Sequence, residues 1–256
     1  MSESKNNNNS IAISIVETSK RFHSGDEIIH AIDNCSLEIY AGQFVCIMGP
    51  SGSGKSTLLN LIGGLSNVTE GKISVFSQTL HNLSESDRAL LRRKIIGIIF
   101  QFYNLHEGLT AVENIELPML IAGISQKIRR KKAQELLELV ELVPRANNLP
   151  YELSGGEKQR VGIARSLSND PKIILADEPT GDLDHEIGES IMDLLVDLNS
   201  EQGKTIVMVT HDLSLIRKGF RLIKLEDGKI ISDEIVESLD NFAQDVSIIA
   251  KKQIST

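Results

Sequence analysis

Residues 44–57 read FVCIMGPSGSGKST. FVCIM is an unbroken apolar run, the pattern of a strand buried on both faces. GPSGSGKST fills the pattern G-x-x-x-x-G-K-[ST], with Gly49, Gly54, Lys55 and Ser56 at its defining positions. Beyond it, Leu58, Leu61, Ile62 and Leu65 recur at helical spacing. Strand, glycine-rich turn and helix together make a phosphate-binding loop. Glycines let successive N–H groups converge on phosphate oxygens, and the helix adds the positive end of its dipole. Pro50, Ser51, Gly52, Ser53 and Thr57 complete the cradle. Lys55 is placed to reach the β- and γ-phosphates of a nucleotide, and the Ser56 hydroxyl to sit on Mg²⁺.

A second element supports the first. In IILADEP (173–179) four apolar residues deliver Asp177 and Glu178 to a strand end. Two charges there call for a cation and a chemical role. Asp177 is expected to hold Mg²⁺ through water, and Glu178 to polarise a water aimed at the γ-phosphorus. Gln101 and His211 each follow another buried apolar run. In a parallel sheet, ligands gather beyond the carboxyl ends of the strands, so both residues are expected at the phosphate.

The surrounding pattern predicts an α/β fold. Its core is a P-loop NTPase with a mostly parallel sheet, an N-terminal antiparallel β subdomain and an inserted helical subdomain. IAISIV (11–16) and CSLEI (35–39) read as strands around a polar loop at Ser24-Gly25-Asp26. Helix is predicted over 84–94 with Ser84 as cap, and strand over 95–100. From Gln101 to Tyr151 the texture is helical, with Pro118 and Pro144 as breaks. The basic run Lys127, Arg129, Arg130, Lys131 and Lys132 reads as a solvated helix face, with lipid headgroups or a partner as the functional alternative. Strands at 172–177 and 204–210 flank a helix from Asp184 to Asn199, and Asp227-Gly228 marks a hairpin. The expected divisions are a disordered tail at 1–10, one domain at 11–232 with the helical insertion at 101–151, and a C-terminal tail at 233–256.

Composition sets limits. The 256 residues carry a formal net charge of −8, which argues against a nucleic-acid binder. No stretch of 18 apolar residues suggests a membrane span, and MSESKNNNNS lacks the features of a secretory signal. The two cysteines, Cys35 and Cys46, read as reduced core thiols, which points to a cytosolic chain.

LSGGEKQR (153–160) looks at first like a redundant phosphate loop. Together, GPSGSGKST, Gln101, LSGGEKQR, IILADEP, TGDLD (180–184) and His211 resemble the ABC transporter ATPases over residues 11–232. LTAVENIELP and ILADEPTGDLD are similar to the lipoprotein-releasing and macrolide-exporter group. The resemblance implies that Ser154, Gly155, Gly156 and Glu157 close over ATP held by the first loop of a second subunit. Asp184 would belong to the segment crossing between the two sites. Phe22 would stack on adenine in place of the family's tyrosine, and Gln101 would join Ser56 and Asp177 at Mg²⁺. Glu178, His211, Gln101 and Lys55 would be the catalytic set, and Lys158 would lie on the surface. VFSQTL (75–80) lacks the usual turn glycine, and His185 replaces a small polar residue.

The implied function is ATP binding and hydrolysis by a homodimer, or a pair with a closely similar ATPase, that drives transmembrane permease subunits on separate chains. Export or membrane extraction of a lipid, peptide or drug-like substrate is the implied task. No nucleic acid and no direct membrane insertion are expected. The implied location is cytoplasmic, peripheral on the inner face of the cell membrane through the permease, whose docking would involve Phe102, Tyr103 and Leu105. The alternative is a soluble ABC-type ATPase acting on nucleic acid or a macromolecular complex. The DNA-repair type inserts a long coiled coil, for which the roughly fifty residues between Gln101 and Leu153 are too few. A non-catalytic regulator would not need both Glu178 and His211.

Overall fold

Phe44, Cys46 and Met48 enter one core, while Val45 and Ile47 enter another. That two-sided burial makes the apolar run the centre of a layered structure, since only a strand covered on both faces can hide every residue. The computed structural model describes residues 10–25 and 27–238. In chain order the strands are β1 (Ile11–Ser24), β2 (Glu27–Tyr40), β3 (Phe44–Met48), β4 (Glu70–Val75), β5 (Gln78–Thr79), β6 (Ile96–Ile99), β7 (Ile173–Asp177), β8 (Thr205–Val209), β9 (Arg221–Glu226) and β10 (Lys229–Ile235). The helices are α1 (Lys55–Ile62), α2 (Glu85–Ile95), α3 (Ala111–Ile121), α4 (Gln126–Leu139), α5 (Gly155–Ser166) and α6 (His185–Ser200).

Two sheets result. One is antiparallel in the order β2-β1-β4-β5, and the other runs β10-β9-β3-β8-β7-β6. In the second, β9, β3, β8, β7 and β6 are parallel and β10 closes the edge as a hairpin. α3, α4, α5 and α6 cover one face. α1 and the antiparallel sheet cover the other. The expected mostly parallel core, antiparallel β part and helical part are all present.

Several boundaries moved. β1 and β2 pair from Ile11↔Tyr40 to Ser24↔Glu27, far beyond the two short apolar runs, because cross-strand pairing carries polar residues that periodicity does not flag. Asp26 of the expected loop, the Asn6–Asn9 run and residues 239–256 of the expected tail lie outside the described residues. β10 continues to Ile235, three residues past the expected limit, paired with Arg221. Pro118 does not break α3, which runs through it. Ile115 and Met119 pin that turn in the core, at the cost of one helical hydrogen bond. The glycine-free turn after β4 is made by Phe76 and Ser77, both at positive φ. In the basic run, Arg129 and Arg130 both bind Glu116, and Lys131 faces Glu135. Two of its charges are therefore structural.

Thr110 and Glu113 form a reciprocal capping box at the start of α3. Behind it, fully buried Asn114 accepts from the His106 N–H at 2.8 Å and donates to the carbonyls of His106, Leu109 and Thr110. This side chain folds the loop between β6 and α3. Asn114→Leu should destabilise the chain by about 1–3 kcal/mol, because it strands buried backbone groups. Urea unfolding followed by circular dichroism measures the loss.

Candidate functional site

The loop between β3 and α1 lies at the carboxyl end of the parallel sheet. Gly54 caps α1 at φ +101, and a Cβ there would stand 2.1 Å from the Ala31 carbonyl oxygen. Only glycine satisfies both conditions. Lys55 donates to the carbonyls of Gly49 and Pro50, each at 2.9 Å, so its ammonium lies across the mouth of the loop. Burial lowers its pKa, opposed by the charges of Glu178 and Asp177. A phosphate in the loop would replace neutral carbonyls with full negative charge.

Asp177, at the end of β7, accepts from the Ser56 hydroxyl at 2.9 Å. Burial raises the Asp177 carboxyl, a shift that the Ser56 hydrogen bond opposes. The hydroxyl and the carboxylate expected to share one cation therefore touch. This hard, oxygen-only pair suits Mg²⁺, which takes one or two protein oxygens and draws the rest from water and phosphate. Among the described residues no cluster of three or more His, Cys, Asp or Glu could hold a metal alone.

Glu178 adopts a left-handed conformation at φ +43, which costs about 1–2 kcal/mol for a residue with a Cβ. Its N–H is held by the Val209 carbonyl at 3.0 Å, and Oε2 lies 3.0 Å from His211 Nδ1. The Glu178 side chain is 19% exposed and that of His211 64%. The strained turn aims the carboxylate along the loop that follows β7, and His211 fixes one of its oxygens. Gln101 stands two residues past β6 and is half-buried.

The second glycine-rich element opens α5. Ser154 caps the helix, accepting from the Glu157 N–H, while Glu157 Oε2 accepts from the Ser154 N–H at 2.8 Å and Oε1 from Arg145 at 2.9 Å. Both Glu157 oxygens are thus engaged within the chain, and those hydrogen bonds lower its pKa. Gly156 packs on Ile187, where a Cβ would fall 2.6 Å from the isoleucine Cγ2. Asp184 caps α6 by accepting from the Ile187 N–H at 3.0 Å. Phe22 is 43% exposed, and the Lys20 ammonium sits 4.8 Å from its ring centroid. Lys158 is half-buried.

A family model described as ABC transporter matches residues 32–181. The chain belongs to the ABC transporter family. It is 48% identical over 233 residues to the uncharacterised ABC transporter ATP-binding protein MJ0796 of Methanocaldococcus jannaschii, covering 90% of this chain and 99% of that protein. It is 46% identical over 221 residues to the macrolide export ATP-binding/permease protein MacB of Mannheimia succiniciproducens, covering 86% of this chain but only 34% of MacB. Among solved structures, the dimeric post-hydrolysis state of the MJ0796 ATP-binding cassette bound to ADP and Pi matches with a TM-score of 0.83 and 46% identity, over 88% of this chain and 99% of that one.

As an ABC ATPase, the chain brings together several of the residues the motifs named at the first loop: Ser56 meets Asp177, Glu178 meets His211, and Lys55 feels the charges of both carboxylates. Glu157 and Asp184 serve as capping groups in the single chain. The motifs offered Tyr103 for docking but did not reveal its place at the second glycine-rich element, where its hydroxyl stands 3.1 Å from where a Cβ of Gly155 would be. Nor did they reveal Gln159, whose side chain reaches the Pro179 carbonyl beside Glu178. Gln159 lies within LSGGEKQR and Tyr103 two residues past Gln101, but neither position announces its partner, and only packing exposes these contacts. Gly54→Ala should weaken ATP binding by at least tenfold, about 1.4 kcal/mol, through the clash with Ala31. Isothermal titration calorimetry measures this, with circular dichroism confirming that the fold is kept.

Proposed function

We propose that this ABC ATPase binds two ATP molecules between two copies of itself, or between itself and a closely similar subunit, and hydrolyses them to drive separate transmembrane permease chains. The observation that carries this reading is the division of the ATP-handling elements over the chain. The first loop, Ser56, Asp177 and the Glu178–His211 pair form one side of a nucleotide site. The Ser154-Gly155-Gly156 helix start offers N–H donors to a phosphate but no lysine to hold a nucleotide alone. One chain thus carries complementary halves, which join when two copies pair head to tail. The dimeric MJ0796 cassette supports this arrangement by similarity.

In this mechanism the loop amides and Lys55 cradle the β- and γ-phosphates, and Phe22 stacks on the adenine. When bound to Ser56, Asp177 and Gln101, Mg²⁺ would neutralise charge developing on the phosphates. Glu178, oriented by its strained backbone and by His211, takes the proton of the attacking water. Loss of the γ-phosphate removes the group that bridges the two chains, and the dimer reopens.

Phe102, 73% exposed beside Gln101, is the candidate contact for the permease. Tyr103 and Leu105, expected to share that role, are half-buried against the chain itself. Among the described residues no helix is long and apolar enough to cross a membrane, so attachment to the inner face of the cell membrane would run through the permease. Likeness to the macrolide exporter MacB supports export or extraction of a lipid, peptide or drug-like cargo.

Glu178→Gln should lower kcat by about 10²–10⁴-fold and trap an ATP-dependent dimer. Adding Ser154→Arg to that variant should keep it monomeric on a sizing column with ATP, while nucleotide still binds at Lys55. A normal ATP-dependent dimer from the double variant would refute the shared site.

A further inference from the structure

α5 begins at the loop that would face the partner's ATP, and five residues past its cap it carries Gln159, a side chain only 1% exposed. Gln159 Nε2 donates to the Pro179 carbonyl at 2.7 Å. The amide orientation is fixed by chemistry, because a proline carbonyl can only accept. The other end, Oε1, is buried and has no hydrogen-bond partner among the described residues. A buried glutamine retained with an orphaned oxygen is a costly choice, so the single bond it does make calls for an explanation.

That bond ends one residue from Glu178. Glu178 is otherwise held by its N–H on Val209, its carbonyl on the Gly181 N–H at 3.1 Å and its carboxylate on His211, in a backbone conformation that relaxes unless the surroundings enforce it. The tie to Pro179 adds a further restraint, and the one that comes from α5. The same helix also grips the segment after Gln101: half-buried Arg165 donates to the Tyr103 carbonyl at 2.7 Å and to that of Asn104, and Tyr103 and Asn104 are both at positive φ. α5 therefore holds by their backbones the residues next to Glu178 and those that follow Gln101, while its first turn carries Ser154.

We infer that Gln159 is a positioning residue that ties the catalytic carboxylate of one ATP site to the helix whose start completes the other. Docking of Ser154-Gly155-Gly156 on a partner's γ-phosphate fixes α5. Through Gln159, α5 then fixes Pro179 and the strained Glu178 turn of its own chain, so closing one site readies the second. The inference rests on the shared-site reading of the proposed function. It adds a route inside the chain from one site to the other.

The test is steady-state ATP hydrolysis by the full-length protein with Gln159→Met, which keeps bulk and loses the donor, and with Gln159→Glu, which keeps shape and loses the donor at pH 8. The expected result in both is a kcat about tenfold below wild type, together with a Hill coefficient for ATP that falls from above 1 to 1. ATP affinity of the monomer and ATP-driven dimerisation in the Glu178→Gln background should stay at the wild-type level. Unchanged kcat in either folded variant overturns the inference, as does a lower kcat with an unchanged Hill coefficient, or a wild-type Hill coefficient of 1. A parallel loss of monomer ATP affinity and melting temperature also overturns it, since Gln159 would then be only structural. Failure of wild type to hydrolyse ATP or to dimerise would instead overturn the proposed function, so the two failures are distinct.

Discussion

The phosphate loop owes its shape to two backbones that press on it. A Cβ on Gly49 would lie 2.0 Å from the Leu225 carbonyl of β9, and one on Gly54 would lie 2.1 Å from the Ala31 carbonyl of β2. The loop is wedged between the parallel core and the antiparallel sheet. The turn between β9 and β10 closes the wedge: the Gly228 N–H bonds the Ser53 carbonyl at 3.0 Å, and the Gly228 carbonyl accepts from Asp33 at 2.9 Å. Neither sheet alone would hold the cradle. The N-terminal hairpin therefore helps shape the phosphate site as well as carrying Phe22.

The remaining chemistry depends on strand order. β3, β7, β8 and β6 are parallel neighbours, so the residues after each of them emerge on one edge. Ser56 meets Asp177 across 121 positions of sequence, and Glu178 meets His211. Burial raises Asp177 and lowers Lys55, both away from charge. A site whose ionic groups are desolvated before substrate arrives is prepared for a ligand that brings both negative phosphate and a counter-cation.

Much of the fold could be read from short patterns. FVCIM, IILAD and TIVMV announced buried parallel strands because continuous apolar runs have few other uses at that length. The Asp227-Gly228 hairpin was equally legible, and both residues sit at positive φ. Periodicity understated β1 and β2, whose outer halves mix polar and apolar residues without regular alternation, and it placed a break at Pro118, where core packing overrides the local preference. The basic run was read as a solvated face, but Glu116, buried between α3 and α4, takes two of its arginines. Ion pairing between helices leaves no periodic trace.

The sequence alone determined the chemical inventory: a lysine and a hydroxyl on a glycine-rich turn, an Asp-Glu pair at a strand end, and a second helix start rich in glycine. These are local patterns, set by backbone freedom and by the expense of unpaired charge. Tertiary structure alone decided which groups meet. Glu178 is strained and held by His211, Glu157 and Asp184 spend their carboxylates on helix starts, and Gln159 reaches from α5 to Pro179. Hydrogen bonds between distant segments depend on how helices pack on the sheet. Because a side-chain amide has no preferred partner in sequence, only the folded chain could show where Gln159 points.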